Sequence, residues 1–116
     1  MKYLIVSVLA VVGLSAAPAP RQGSGQATKT FTGTITDDMC AGIGHARMRM
    51  GPTDAECTTA CVMSHGVPYV LEDGKNVYTL SDQKTPEPFA GKKVRVVGTL
   101  DAKTKTIHVD SIAAAQ

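Results

Sequence analysis

Past residue 28 the chain offers only short segments of β character, cut apart by glycine and aspartate turns. None is long enough to bury a face unaided. Phe31, Gly33 and Ile35 alternate with Thr30, Thr32, Thr34 and Thr36, a period of two in strand-favouring residues. Residues 68–72 and 76–80 flank Asp73-Gly74-Lys75, a hairpin signal because glycine accepts the positive φ of tight turns. Val94, Val96, Gly98 and Leu100 share one parity, and beyond a turn at residues 101–105, Ile107 and Val109 share a face. Five short strands in about 90 residues must limit their exposed edges, which closure into a small barrel achieves. The expected fold is mainly β: a five-stranded OB-like barrel with one short helix inserted between strands 1 and 2. A small open sandwich or half-barrel is the alternative. Gly33 and Gly98 lie inside strand patterns, where a missing side chain marks the sharp bends of barrel corners.

The beginning of the chain has a different character. Lys2 precedes an apolar run from Leu4 to Leu14, and small residues follow at Ser15, Ala16 and Ala17. This is the pattern of an export signal, and the run is shorter than the roughly 20 apolar residues a bilayer requires. Residues 1–17 therefore read as a signal peptide and 18–28, rich in Pro, Gly, Ser and Gln, as a flexible linker. One domain is expected over 29–113. The localisation that follows is secreted or periplasmic, with no stable membrane anchor after cleavage. Without Lys2, eleven basic side chains remain against ten acidic ones, too even a balance to steer nucleic acid. The basic residues of the last two strands read as an ordinary solvated face, and nucleic acid is not an expected partner.

Between the first and second strands, residues 37–66 form an insertion holding every cysteine of the chain: Cys40, Cys57 and Cys61. Thr53-Asp54-Ala55-Glu56 has the spacing of a helix capping box, and Gly66 and Pro68 supply the stop. The helix this predicts sets Cys57, Cys61 and His65 four residues apart on one stripe. Cys40 and His45 precede it in a loop that must fold back beside the helix. The pair Asp37-Asp38 reads as turn chemistry after the first strand.

Three readings of the cluster stand. Thiolate and imidazole are soft or borderline ligands, so Cys40, Cys57 and Cys61 with His45 or His65 would hold zinc or copper, the methionines offering thioether to copper. Alternatively Cys40 forms a disulfide with Cys57 or Cys61, stabilising by about 3 kcal/mol through loop closure. The odd cysteine is that reading's weakness, and a bond between Cys57 and Cys61 within one helix has poor geometry. The third reading is a thiol enzyme with a cysteine activated by His45 or His65. No orienting acid or oxyanion hole accompanies it, so no catalytic residue is assigned. His108, opposite Ile107 and Val109 in parity, is expected to face solvent.

The run from Gly33 to Cys40, His45, the run from Asp54 to Val62 and that from Gly66 to Leu71 carry a resemblance. It continues through Val77 to Gln83, Phe89 to Val94, Val97 to Leu100 and Ile107 to Ile112. Together these segments resemble a family of small exported bacterial domains of unknown function, of acidobacterial type. The strand-rich half also resembles periplasmic OB-fold proteins. The resemblance implies an exported OB-like barrel with a Cys/His insertion, and it implies no activity. The expected function is a small binding or envelope-associated protein, non-enzymatic, handling a transition metal. A disulfide-stapled module for a peptide, saccharide or protein partner is the alternative. The expected partner is a small ligand or an envelope protein, and the expected state is a monomer.

Overall fold

A computed structural model describes residues 27–116, together with the isolated Gly13 and Ala17. The signal peptide expected over 1–17 and most of the linker expected over 18–28 thus lie outside the described residues.

Five strands and one α-helix organise the described chain. They are β1 (Lys29–Asp37), α1 (Asp54–His65), β2 (Tyr69–Glu72), β3 (Val77–Leu80), β4 (Lys93–Asp101) and β5 (Thr106–Ala114). Short 3-10 turns at His45–Arg47 and Glu87–Phe89 lie in the connections. The hydrogen-bonded order is β1-β2-β3-β5-β4, and β4 returns to β1, so the sheet closes on itself. Every pairing is antiparallel except β3 with β5.

Closure depends on β1 serving two neighbours. Its first part, Lys29–Thr34, pairs with β4, and its last part, Thr34–Asp37, pairs with β2. Gly33 sits where the partner changes, and a Cβ there would collide with the carbonyl oxygen of Glu72. Gly98 plays the same part in β4. The β4–β5 register shifts between Val97 and Gly98, and a Cβ at Gly98 would collide with the carbonyl oxygen of His108. Both obstacles are backbone atoms of the neighbouring strand, which cannot swing aside as a side chain can. Bulges of this kind let a closed sheet bend sharply.

Inside the ring, Ile35, Leu71, Leu80, Val94, Val96 and Ile107 are buried, with Tyr69 and Ala90 among them. These are the same-parity residues of the strands, and each large aliphatic contributes about 1.5–3 kcal/mol by leaving water. The short strand β2 is held at its open end by Gln83. Its Oε1 accepts from the Tyr69 N–H at 2.7 Å, and its Nε2 donates to the carbonyls of Tyr69 and Leu80, each at 2.9 Å. Cys40, Cys57 and Cys61 form a separate small cluster with Val67 packed against it. His108 is exposed.

The capping box forms with a local variation. The Glu56 N–H donates to the Thr53 hydroxyl at 3.1 Å, and that hydroxyl donates to the Glu56 carboxylate at 2.9 Å. At the other end Gly66 closes α1 in the left-handed conformation, φ 67°. No helix of the described residues is long and apolar enough to cross a membrane.

The closed ring predicts a sharp penalty at its bend. Gly98→Ala should lower the unfolding free energy by about 1–3 kcal/mol, the range for overpacking against a partner that cannot yield. Urea unfolding checks this: the midpoint should fall while the slope stays unchanged.

Candidate metal centre

The site begins at the end of β1. Gly33, Ile35 and Asp37 share the inward parity of the strand, so Asp37 is carried into the interior and is 0% exposed. Its Oδ1 accepts from the N–H groups of Met39 at 3.1 Å and Cys40 at 2.9 Å. Its carbonyl accepts from the Ala41 N–H at 3.0 Å, and the Cys40 carbonyl accepts from the Gly44 N–H at 2.9 Å. The chain therefore turns tightly, and the buried Cys40 side chain joins those of α1 instead of facing solvent. A bond from the Gly42 N–H to Glu72 Oε1, 3.0 Å, ties the turn to the end of β2.

The rest of the loop is fastened along the N-terminal half of α1. The thiol of Cys57 donates to the Met48 carbonyl at 3.2 Å, and its sulfur accepts from the Met50 N–H at 3.3 Å. The ring Nε2 of His45 lies 3.2 Å from the Thr36 hydroxyl and 3.5 Å from that of Thr58, bridging β1 to α1. Arg49 donates to the carbonyls of Gly51 and Pro52 and forms an ion pair with Asp54 at 3.2 Å.

These ties bring three sulfurs together. Cys40, Cys57 and Cys61 are all buried, and their Sγ atoms lie within 4.8 Å of one another. A second group, Asp37, Cys40 and His45, meets the same limit, and the two groups share Cys40. Both are arrangements that could hold a metal ion. Among the described residues two buried side-chain polar atoms lack any hydrogen-bond partner, Asp37 Oδ2 and His45 Nδ1, and both residues belong to the second group.

His65 is not part of the assembly. It stands exposed at the end of α1 and belongs to neither group. Its place on the stripe is as expected, but a helix rises 1.5 Å per residue, so it lies about 12 Å along the axis from Cys57. The loop meets α1 at Cys57 and Thr58, two turns earlier. Asp37 is the residue that sequence reasoning placed too modestly. It is turn chemistry, as expected, but its burial and free oxygen make it part of the cluster. The signal was its parity with Ile35.

All three cysteines are free thiols, so the staple expected between Cys40 and a helix cysteine is not formed here. Burial pushes the Cys40 thiol up to about 12 from its ordinary 9.0, and the charge of Asp37 adds to the effect. Cys61 is raised for the same two reasons, burial first and Asp37 second. Both shifts keep the unliganded thiols protonated.

Elsewhere, a groove of about 460 Å³ runs beside α1, lined mainly by Ala55, Thr59, Ala60, Met63, Pro88 and Ala90. Met63 is 78% exposed there. No cysteine lines it.

Residues 62–115 match the model of a family described as "Protein of unknown function (DUF5818)". The matched stretch starts immediately after Cys61, so it takes in β2 to β5 and leaves out Cys40, His45, Cys57 and Cys61. An unknown-function family is thus what the strand-rich part is similar to. No curated protein and no solved structure matches the chain.

Two expectations follow for the metal-free chain. Desalted without oxygen, it should give three thiols per chain in denaturant by colorimetric titration. In the native state Cys40 should alkylate about a thousandfold more slowly at pH 8 than an ordinary thiol, its thiolate being scarcer by that factor. Stability should also fall with alkali. Above about pH 9 the unfolded state releases a proton that the folded Cys40 keeps until about 12, so unfolding gains about 1.4 kcal/mol per pH unit from this group. Urea titrations between pH 8 and 11 read the slope; a midpoint that rises with pH would contradict it.

Proposed function

We propose that this chain is a small exported envelope protein whose OB-like barrel carries a transition-metal site, the ion held by the thiolates of Cys40, Cys57 and Cys61. One observation carries the reading: sulfurs from a loop and a helix, up to twenty-one positions apart in sequence, converge on one buried point. Packing alone asks only for small apolar groups there, whereas three thiols in shared reach have the chemistry of zinc or Cu(I) ligands. The signal-like residues before Pro18 support export. The closed strand order supports the barrel.

The remaining features agree with a binding role. The thiol enzyme needs a thiol of lowered pKa, and Cys40 is raised. Metal binding reverses the situation because the ion displaces the thiol protons, so affinity rises with pH. The Met50 N–H at Cys57 already offers a hydrogen bond to a thiolate. The second reading is the disulfide-stapled module for a peptide, saccharide or protein partner, favoured by the groove with exposed Met63.

Purified under reducing conditions and desalted, the chain should retain at least one equivalent of zinc or copper by elemental analysis. Cys57→Ser should lose it, with affinity reduced at least about tenfold. A chain that holds neither ion, and shows one free thiol in denaturant after isolation without reductant, would favour the stapled module.

A further inference from the structure

We infer that the centre seats two divalent ions of the zinc type, the second held by Asp37, Cys40 and His45, with the Cys40 thiolate bridging the pair. The inference rests on the reading of the three cysteines as a metal site and extends it to a second seat.

The donor geometry is the starting point. Two ligands of one ion lie no further apart than twice the metal–ligand bond, about 4.6 Å for zinc and sulfur. The three sulfurs lie within 4.8 Å of one another, as do the donors of Asp37, Cys40 and His45, so small side-chain movements bring each trio to that scale, yet the donors form two groups of three and no group of four. An ion among the sulfurs therefore leaves the carboxylate and the imidazole to a different centre. Cys40 alone belongs to both, and thiolate sulfur has lone pairs enough for two ions.

Two unpartnered atoms independently point to that second seat. Asp37 is fully buried, and its Oδ1 is fixed by the N–H groups of Met39 and Cys40, while Oδ2 has no partner. A buried carboxylate oxygen left so costs several kcal/mol unless a strong hydrogen-bond donor or a cation faces it. No side chain supplies the cation, since among the described residues the one ion pair joins Arg49 to Asp54. His45 Nδ1 is likewise buried without a partner, while its Nε2 lies 3.2 Å from the Thr36 hydroxyl. A ligating histidine is oriented in this way, donating from one ring nitrogen and presenting a lone pair on the other.

Charge then selects the ions. With all ligands ionised, three thiolates and one carboxylate carry four negative charges in a buried place. One divalent ion leaves two uncompensated, and so do two cuprous ions. Two divalent ions balance the cluster, and a mixed set of sulfur, nitrogen and oxygen is the donor set of zinc and cobalt(II).

The test titrates the reduced, metal-free full chain with cobalt(II) under anaerobic conditions. It follows thiolate-to-cobalt charge transfer and the visible ligand-field bands, with zinc stoichiometry by elemental analysis as the second measure. The wild-type chain should saturate at two equivalents. Asp37→Asn and His45→Gln should each saturate at one and keep the charge-transfer band of the sulfur seat. Saturation of the wild type at one equivalent overturns the second seat and leaves the three-sulfur site standing. Two equivalents in wild type and in both variants overturn the assignment of Asp37 and His45. No binding at all overturns both readings. Circular dichroism checks that the variants fold, and if Asp37→Asn does not, His45→Gln in the loop decides with the wild-type stoichiometry.

Discussion

A single carboxylate joins the scaffold to the chemistry. Asp37 is the last residue of β1 and is drawn inward by the parity that buries Ile35, so it belongs to the sheet. With Oδ1 it takes up the N–H groups of Met39 and Cys40, so it also shapes the turn that sends Cys40 to the helix. An aspartate in this role ordinarily sits at the surface, where water serves its second oxygen. Here the carboxylate itself is inside, its second oxygen has no hydrogen-bond partner, and the Cys40 sulfur and the His45 imidazole lie within reach of the group. Strand pairing, the direction of the loop and the electrostatics of the cluster therefore all pass through one side chain.

The same side chain helps explain how the cluster exists without an ion. Three free cysteines make a small apolar core under α1, with Val67 against it. Burial and the negative neighbour both raise Cys40, keeping that core neutral. The cluster is thus stable as packing, and on the proposed reading the same thiols would give up their protons to an ion. Zinc fingers lacking a separate core unfold without metal, but this domain has the interior of its sheet to hold the frame.

What could be read in the sequence follows from how far each feature reaches along the chain. Strand parity, the hairpin at Asp73-Gly74 and the capping box at Thr53 are decided within about ten residues, and local pattern finds them. Gly33 and Gly98 were legible as bends because a strand has little other use for a missing side chain. The obstacles that require glycine, the carbonyls of Glu72 and His108, lie on other strands and were not legible. The site divides in the same way. Four-residue spacing put Cys57 and Cys61 on one face, but it gave His65 equal standing because periodicity records angle around a helix and not what covers it. Asp37 reads locally as turn chemistry alone, since its burial depends on closure of the whole sheet.

The division of labour along the chain suggests why the cluster sits where it does. The family similarity spans 62–115, the part that builds β2 to β5, while the sulfurs precede it in the connection between β1 and β2. A closed sheet fixes the two ends of that connection, Asp37 and Tyr69, as paired neighbours. The intervening chain must therefore leave and return at one place, whatever its length or composition. Loop closure becomes dearer only logarithmically with length, so the scaffold tolerates a long insertion there. Ligands drawn from such an insertion start close to one another because the sheet has already brought its ends together. Convergence of Cys40 with Cys57 and Cys61 thus requires only that α1 lie back across β1, which the Thr36, His45 and Thr58 contacts accomplish.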